Sequence, residues 1–328
     1  PTCEAILEWG GLDGHSLDGQ VRQAASDSFL DKDCWPADPE ERFAAECSMP
    51  LWLGKLIRKQ YGEERGLELA RELCSPASVD LRVNSRRASR KKVMRSLQRE
   101  TEAEVELSSF SSTGLRLDRR INLTATTASR KSWIEIQDEG SQAAVYSTDA
   151  APGMTVIDAC AGSGGKTLAL ADIIFREEEG AEVPAHLQSR LVACEVHHKK
   201  LQELRRRTKD ASLGGQVEYA LIGEHGDLSK LLPRAHLVLV DSPCTGLGTL
   251  RRNPEAKNRY GEKDVRRFQS LQLEILERFA SLVRPRGRLV YVTCSFIEAE
   301  CDEVVRLFEE RHPEFVPSPS FWASKRLP

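Results

Sequence analysis

Residues 156–167 read Val-Ile-Asp-Ala-Cys-Ala-Gly-Ser-Gly-Gly-Lys-Thr, and Leu-Ala-Leu-Ala-Asp-Ile-Ile follows them. The apolar run ends at Asp158, small residues and glycines then turn the chain, and a helix is expected from about Thr167. A strand, a glycine-rich turn and a helix in this order form the first unit of a doubly wound α/β domain. Glycine permits positive φ angles and close approach of a ligand. The N–H groups at the start of the helix can bind a carboxylate or a phosphate.

Two nucleotide-binding motifs come close to this glycine-rich loop without matching it. A phosphate-binding loop that ends at Gly165-Lys166-Thr167 requires glycine at position 160, which is cysteine. A dinucleotide fingerprint that starts at Gly162 requires glycine at position 167, which is threonine. The loop therefore predicts a nucleotide-type ligand site, and the rest of the chain must identify the ligand.

Downstream of the loop, apolar segments alternate with segments of helical periodicity. Strands are predicted over residues 190–195, 217–222, 236–241 and 288–294, and helices over 198–209, 269–282 and 298–311. Strands that alternate with helices form a parallel sheet whose ligands bind at the carboxyl ends of the strands. The polar residues that follow each strand are therefore the candidates for a functional site.

The rest of the chain divides into three predicted segments. Residues 1–48 form an N-terminal extension to which we assign no function. Residues 49–130 are predicted to form a helical and small α+β region: two amphipathic helices come first, and residues 79–120 then follow a β-α-β-β order. Residues 131–328 are predicted to form the α/β domain, which the chain enters through a strand and a helix near residues 133–142.

The composition limits the class of protein. The chain has 328 residues, 40% hydrophobic and 30% charged, with a net charge of −3. No apolar run of the sequence approaches about 18 residues, so we expect no membrane span. The nine cysteines are scattered, which favours a reducing compartment, taken as the cytoplasm, over disulfides or structural zinc. We expect a monomer without a metal, and the net charge gives no overall signal for nucleic-acid binding.

Two further motifs directly follow predicted strands, Asp241-Ser242-Pro243-Cys244 and Thr293-Cys294-Ser295. Together with the Asp-x-Cys-x-Gly-x-Gly-Gly-Lys-Thr loop, this set resembles the Sun/Fmu (NSUN-type) family of S-adenosylmethionine-dependent RNA cytosine-5 methyltransferases. The likeness runs from about residue 49 to 316. It implies an α/β fold with a Rossmann-like class I methyltransferase core and a helical/α+β N-terminal RNA-binding region.

The resemblance implies a site for S-adenosyl-L-methionine around the glycine-rich loop. Glu195, which ends the second predicted strand, is placed to accept hydrogen bonds from ribose hydroxyls. One acidic residue after the third strand, either Glu224 or Asp227, should reach the adenine amino group, and the choice stays open. The predicted cofactor-binding residues are Asp158, Cys160, Ala161, Gly162, Ser163, Gly164, Gly165, Lys166, Glu195, Glu224, Asp227 and Asp241.

Methylation of cytosine at C5 suits covalent catalysis, because addition of a thiolate to C6 makes C5 enamine-like. From the residues alone, Cys244 and Cys294 compete for the role of nucleophile, since both follow strands. The resemblance implies that Cys294 is the nucleophile and that Cys244 aids release of the product. Asp241 is the candidate carboxylate for the base edge, and Lys166 is its expected partner in the pocket.

RNA is the expected substrate, and a target base must be extruded to reach the cysteine. Basic residues cluster between positions 82 and 95, and beside such motifs they favour a phosphate-contacting patch. The predicted RNA-binding residues are Arg87, Arg90, Lys91, Arg251 and Arg252. Ribosomal RNA is favoured over transfer RNA, and a non-catalytic RNA-binding ribosome-assembly factor with the same fold is a further alternative. The sequence stops at Leu327-Pro328, where the family pattern continues into a last antiparallel strand, which we therefore expect to be missing.

Overall fold

The structure is a computed structural model that describes residues 35–176, 188–223, 228 and 234–318. Its strands are β1 (Val79–Val83), β2 (Val105–Leu107), β3 (Gly114–Leu117), β4 (Ile134–Ile136), β5 (Thr155–Asp158), β6 (Arg190–Glu195), β7 (Val217–Leu221), β8 (Ala235–Asp241) and β9 (Val283–Val292). Its α-helices are α1 (Pro39–Glu46), α2 (Leu51–Tyr61), α3 (Glu63–Cys74), α4 (Arg90–Glu100), α5 (Thr127–Arg130), α6 (Glu139–Tyr146), α7 (Gly165–Ile174), α8 (His198–Asp210), α9 (Ala256–Arg259), α10 (Glu262–Ala280) and α11 (Asp302–Arg311).

The larger sheet has the order β7-β6-β5-β8-β9, and every neighbouring pair is parallel. The chain leaves β5 towards β6 on one side and later returns to β8 on the other. The strand order therefore reverses between β5 and β8, and ligands of open α/β sheets bind at such a switch point. This arrangement confirms the predicted α/β class with a parallel, Rossmann-like core. Asp158 and Asp241 are the last residues of these two strands.

The larger sheet is covered by helices on both faces, which explains its continuous apolar strands. Successive side chains of a strand point to opposite faces, and Val156 and Ile157 accordingly belong to two separate cores. The core around Val156 is completed by α7 and α8, and the core around Ile157 by α10 and α11. These four helices cover the two faces of the sheet and fix the strands whose carboxyl ends carry Asp158 and Asp241.

The smaller sheet has the order β2-β3-β1-β4 and is antiparallel. Helix α4 packs on it through Val93 and Leu97, and the predicted cap is present, since Ser89 Oγ accepts the Lys92 N–H. The predicted β-α-β-β order is thus confirmed, and β4 adds a fourth strand. Because β4 pairs with β1, this sheet contains residues from both sides of the predicted boundary at 130/131.

The chain forms two compact units. Both sheets belong to the larger unit, which comprises Ala77–Cys244, Phe268–Thr293 and Ala299–Pro328. The smaller unit joins the residues up to Pro76 to Thr245–Arg267 and Cys294–Glu298. Its helices α2 and α3 confirm the predicted amphipathic pair. Helix α1 was not predicted, and it packs closely on α2, where a Cβ at Gly54 would lie 2.6 Å from Ala44 Cβ.

A buried polar contact joins the smaller sheet to the core within the larger unit. Arg82 on β1 donates to Asp172 on α7, and its Nε donates to Gln137 Oε1 at 2.7 Å. The Arg82 side chain is only 3% exposed and that of Asp172 only 9%. Burial raises the pKa of Asp172, although Arg82 and Arg86 act against this shift. Arg82 and Arg86 fall within the basic cluster of residues 82–95 that was predicted to contact phosphates, but both side chains face Asp172.

Two searches concern only the described residues. No helix among residues 35–176, 188–223 and 234–318 is long and apolar enough to cross a membrane. Across the same part of the chain, no three His, Cys, Asp or Glu residues are grouped so that they could hold a metal ion. The predicted loss of a last antiparallel strand falls beyond residue 318, outside the described residues.

Replacing Arg82 with methionine should destabilise the larger unit. The variant leaves the Asp172 carboxylate buried without its main partner, which costs about 3–5 kcal/mol for a buried pair. Chemical unfolding in urea measures the loss, and Arg95→Met on the exposed face of α4 is the matched control. A loss of stability no larger for Arg82→Met than for Arg95→Met would contradict the importance of this contact.

Candidate cofactor and catalytic site

The glycine-rich loop has a backbone that requires two of its glycines. Gly162 and Gly164 have φ angles of +57° and +97°, in the left-handed region that favours glycine. Gly164 is also the N-cap of α7, and a Cβ there would lie 2.2 Å from Leu204 Cδ1 on α8. The loop turns tightly at this point, since the Gly164 N–H donates to Ala161 O at 2.9 Å. Any side chain at position 164 would therefore have to displace α8.

Glu195 holds the loop from the neighbouring strand. Its carboxylate is buried, and its oxygens accept the Gly162 N–H and the His197 N–H, each at 2.8 Å. Each carboxylate oxygen can accept a second hydrogen bond. The predicted ribose contact is thus chemically possible for Glu195, but the described contacts give this residue a role in fixing the loop.

An ion pair joins the start of α7 to the end of β8. Lys166 Nζ lies 2.7 Å from Asp241 Oδ2, and the two side chains are 14% and 30% exposed. Partial burial strengthens such a pair relative to one at the surface. The structure thus brings together two of the predicted catalytic residues at the switch point of the sheet.

These contacts argue against a phosphate-binding loop. Such a loop presents its backbone N–H groups and its lysine to the phosphates. Here the Gly162 N–H and Lys166 Nζ are both bonded to carboxylates of the protein. A phosphate would have to compete with Glu195 and Asp241 for these donors and would meet their negative charge. The geometry therefore agrees with the absence of glycine at position 160.

Asp158 is fully buried beneath the loop and accepts a hydrogen bond of 2.6 Å from Thr167 Oγ1. Burial raises its pKa to about 7, an effect to which the nearby Asp241 carboxylate adds, while Thr167 and Lys166 oppose it. Asp158, Glu195 and Asp241 thus surround the loop with carboxyl groups, to which Lys166 contributes a positive charge. This set of groups suits a cationic ligand better than an anionic one.

The Asp241-Ser242-Pro243-Cys244 turn is fixed by backbone and side-chain contacts. The Ser242 N–H donates to Val292 O at 2.9 Å, which continues the pairing of β8 with β9. Gln272 on α10 is fully buried and donates to Pro243 O at 3.0 Å. Cys244, the last residue of this turn, is half-buried. Gln272 had no signal in the sequence, because one glutamine in an amphipathic helix does not reveal its partner.

Cys294 lies in the smaller unit, on the segment that continues from β9, and is exposed. The Gly248 N–H donates to Cys294 O at 2.9 Å, and a Cβ at Gly248 would lie 2.8 Å from that oxygen. Tyr61 of α2 donates its hydroxyl to Phe296 O at 2.6 Å. The carbonyl groups of Cys294 and Phe296 are therefore held in place, and Cys294 itself is exposed.

Other thiols are poor nucleophiles. Burial raises the pKa of Cys194 to about 12 and that of Cys301 to about 12, and it raises the pKa of Cys160 further. A thiol reacts as its thiolate, so a raised pKa suppresses the reactive form. Cys194 is buried, and Cys160 and Cys301 are half-buried. Cys160 also lies on the loop, where it was predicted to contact the cofactor.

The predicted RNA-binding residues lie in both units. In the larger unit, Arg87 and Lys91 are exposed, whereas Arg90 donates to Ser111 O at 3.0 Å. In the smaller unit, Arg251 donates to Pro76 O at 2.8 Å and lies 3.9 Å from Glu72, and Arg252 is half-buried. Arg90 and Arg251 thus have partners within the protein, and so does Arg87, whose Nη1 donates to Lys131 O at 3.4 Å although its side chain is exposed. Glu224 and Asp227, the two candidates for the adenine contact, lie outside the described residues.

Comparison with known proteins identifies the family. Residues 145–325, more than half of the chain, match the family described as "16S rRNA methyltransferase RsmB/F". The chain belongs to this methyltransferase family. Residues 49–124 match "Methyltr_RsmF/B-like, ferredoxin-like domain", and the predicted resemblance to the Sun/Fmu family is confirmed.

Individual members of the family resemble most of the chain. The "Probable ribosomal RNA small subunit methyltransferase B" of Bacillus subtilis is 31% identical over 292 residues, 89% of this chain and 62% of the relative. The "Ribosomal RNA small subunit methyltransferase B" of Thermus thermophilus is 38% identical over 187 residues, 57% of this chain and 42% of the relative. The crystal structure of PH0851 superimposes with a TM-score of 0.76 at 28% identity and covers 92% of this chain and 66% of that one. The chain therefore spans less than two thirds of each of these family members.

Replacing Asp158 with asparagine should change how stability depends on pH. A carboxyl whose folded pKa is about 7 keeps a proton that the unfolded chain loses above its ordinary value of 3.8. The free energy of unfolding of the wild type should therefore fall as pH rises between these two values and stay level above them. Asparagine does not titrate, so the variant should not lose stability in this pH range. Its side-chain oxygen can still accept the Thr167 hydrogen bond. Relative to the wild type, the variant should gain on the order of 3 kcal/mol between about pH 5 and about pH 8.

Urea unfolding at several pH values measures this gain. Asp210→Asn, at an exposed position that pairs with Arg206 on α8, is the matched control. A difference between Asp158→Asn and wild type that stays constant across the pH range would contradict the raised pKa.

Proposed function

We propose that this protein methylates cytosine at C5 in RNA, with S-adenosyl-L-methionine as methyl donor and a covalent adduct between Cys294 and C6 of the base. The observation that carries the proposal is the Lys166–Asp241 ion pair beside the glycine-rich loop, at the switch point of a parallel sheet. Membership of the 16S rRNA methyltransferase RsmB/F family favours ribosomal RNA of the small subunit as substrate. Transfer RNA is the alternative that the substrate assay must separate.

The residues around the loop fit the proposed cofactor. S-adenosylmethionine carries a sulfonium and an ammonium but no phosphate, and it would supply the methyl group when bound. Glu195 and Asp241 provide negative charge next to such a cation, while the Gly162 N–H and Lys166 are engaged by these carboxylates instead of being presented to a phosphate. We propose that the loop from Asp158 to Lys166 holds the cofactor, with Glu195 at the ribose and either Glu224 or Asp227 at the adenine.

The proposed nucleophile is Cys294, which is exposed on a segment whose backbone is fixed. Addition of its thiolate to C6 forms the carbon–sulfur bond and makes C5 nucleophilic. The step adds electron density to the pyrimidine ring, and a group at the edge with N3 and the amino group must stabilise it. Cys294 therefore requires a second group that exchanges or shares a proton with the base.

Asp241 is proposed to serve the base edge, with Lys166 as its partner. The pair at 2.7 Å holds the carboxylate in one orientation at the end of β8. In that position Asp241 can accept a hydrogen bond from the amino group of cytosine or share a proton with N3. Lys166 both neutralises the carboxylate in the resting protein and adds positive charge for the substrate.

Cys244 is proposed to assist product release. After methylation the proton must leave C5 and the Cys294–C6 bond must break, which restores the double bond of the ring and the thiolate. A residue that promotes this elimination has to sit on a fixed backbone, and the Cys244 turn is held by Gln272 and by pairing with β9. The two cysteines would thus open and close one catalytic cycle.

Titration calorimetry with S-adenosylmethionine and, separately, with ATP tests the cofactor class. Micromolar binding of the sulfonium compound without ATP binding would agree with the proposal. ATP binding without S-adenosylmethionine binding would contradict it, because a phosphate-binding site would then be present despite Cys160.

Replacing Cys294 with alanine should abolish methylation and leave cofactor binding unchanged. The change removes the thiolate that adds to C6, whereas the loop from Asp158 to Lys166 stays intact. Transfer of a labelled methyl group to total RNA measures the first effect, and calorimetry measures the second. Cys74→Ala, which removes another exposed thiol, is the control and should retain activity. Full turnover by Cys294→Ala would show that the nucleophile is another residue.

Replacing Cys244 with alanine should trap the covalent complex. Without the proposed release step, the Cys294–C6 adduct should accumulate as a slowly migrating RNA–protein band on a denaturing gel. The band should disappear in the double variant Cys244→Ala/Cys294→Ala, which separates it from non-specific crosslinks. A Cys244→Ala enzyme that turns over normally and shows no band would exclude the release role.

A further inference from the structure

Helix α8 contacts the glycine-rich loop at two neighbouring points. Leu204 fills the space beneath Gly164, where a Cβ would lie 2.2 Å from Leu204 Cδ1. Arg207 Nη1 donates to Ser163 O at 2.6 Å. Residues three apart lie on the same side of a helix, so Leu204 and Arg207 present one surface of α8 to the loop. Together they brace the loop at Ser163 and Gly164, next to Gly162, whose N–H donates to Glu195.

The Arg207 guanidinium also reaches the smaller sheet. Its Nη2 donates to Glu135 Oε2 at 2.6 Å, and Glu135 lies on β4 opposite Arg82 of β1. The Arg207 and Glu135 side chains are only 19% and 22% exposed. The planar guanidinium presents its donors in a fixed fork, so one side chain binds the loop and the sheet at the same time.

We propose that Arg207 is a positioning residue for the cofactor, and that Glu135 on the smaller sheet tunes cofactor affinity through it. The inference rests on the proposed function, since it takes S-adenosylmethionine as the ligand of the loop. The inference gives Glu135, which lies on the smaller sheet and outside the glycine-rich loop, a role in cofactor binding.

The loop needs such a brace at Ser163. This residue lies between Gly162 and Gly164, both of which have positive φ angles, and glycine gives the backbone more conformational freedom than other residues. The peptide between residues 163 and 164 is held through its N–H, which donates to Ala161 O, and among the described residues only Arg207 holds its carbonyl. The hydrogen bond from Arg207 fixes that carbonyl, and it is charge-assisted, hence stronger than a neutral one.

Arg206 provides a matched control. It is the neighbouring arginine on α8, and it pairs with Glu203 and Asp210 on the exposed side of the helix. Arg206→Gln and Arg207→Gln remove the same charge from the same helix. Only the second removes the donors to Ser163 O and Glu135, so a difference between the variants reports on the brace.

The test uses the full chain, with S-adenosylhomocysteine as the probe in calorimetry and hydrogen exchange of the loop amides without ligand. Arg207→Gln should weaken binding about tenfold, which corresponds to the loss of one strong hydrogen bond. It should also speed exchange at residues 162–166. Arg206→Gln should leave both quantities unchanged. Glu135→Gln should weaken binding several-fold, about as expected for loss of the ionic partner, and Glu135→Asp should restore part of it.

The outcomes separate this inference from the proposed function. Suppose that the wild type binds S-adenosylhomocysteine and that Arg207→Gln and Arg206→Gln have equal affinities and equal exchange rates. The role of Arg207 would then be overturned, and the cofactor assignment would stand. A normal affinity for Glu135→Gln would overturn the link to the smaller sheet, and this milder variant decides the point even if Arg207→Gln unfolds. If the wild type binds no S-adenosylhomocysteine, the cofactor assignment fails, and faster exchange in Arg207→Gln would still support the brace. In turnover assays the loss should appear as a higher KM for S-adenosylmethionine at unchanged kcat, which general destabilisation would not produce.

Discussion

The ion pair between Lys166 and Asp241 ties the glycine-rich loop to the middle of the parallel sheet. Lys166 is in the first turn of α7 and Asp241 is the last residue of β8, so the pair spans the point where the strand order reverses. The ion pair also limits which ligands the loop can bind. A lysine committed to a carboxylate is a poor phosphate ligand, and a carboxylate fixed by a lysine is oriented for a proton or a hydrogen-bond donor. The chemistry proposed for this site depends on Lys166 binding the Asp241 carboxylate instead of a phosphate.

A second constraint is that three charged side chains hold the glycine-rich loop and the threonine that follows it. Glu195 accepts the Gly162 N–H, Arg207 donates to Ser163 O, and Asp158 accepts the Thr167 hydroxyl just after the loop. A loop rich in glycine would lose much conformational freedom on binding a ligand. Because the protein fixes the loop in advance, less of that cost falls on the ligand. Arg82 and Arg207 extend the same polar contacts to the smaller sheet.

Local patterns in the sequence predicted most of the fold. The strands of the larger sheet and the helices that cover it follow apolar periodicity, and residues 79–120 have the predicted β-α-β-β order. The pairing of β4 with β1 could not be read from the sequence, because it joins segments about fifty residues apart through backbone hydrogen bonds. Likewise, Arg82 and Arg86 looked like part of a basic run, and only the position of Asp172 in the fold turns them inward.

The residues of the candidate site divide in the same way, into those that local sequence patterns predict and those that only the fold reveals. Asp158, Lys166, Asp241 and the two cysteines stand in contiguous motifs at strand ends, so sequence and resemblance together could predict them as candidates. Gln272, Tyr61 and Arg207 act through contacts with residues 29, 235 and 44 positions away, and their residue types carry no local signal. Support for a site therefore depends on tertiary contacts, whereas its reacting groups stand in motifs that a sequence can reveal.

Nucleoside mass spectrometry tests most directly whether the protein methylates cytosine at C5 in RNA, as proposed. Small-subunit ribosomal RNA transcribed in vitro would be incubated with the protein and S-adenosylmethionine, digested to nucleosides and compared with transfer RNA treated in the same way. We predict 5-methylcytidine in the ribosomal RNA, at a level that depends on Cys294. A methyl group on another base or on the ribose, or no methylation of either RNA by a protein that binds the cofactor, would contradict the account.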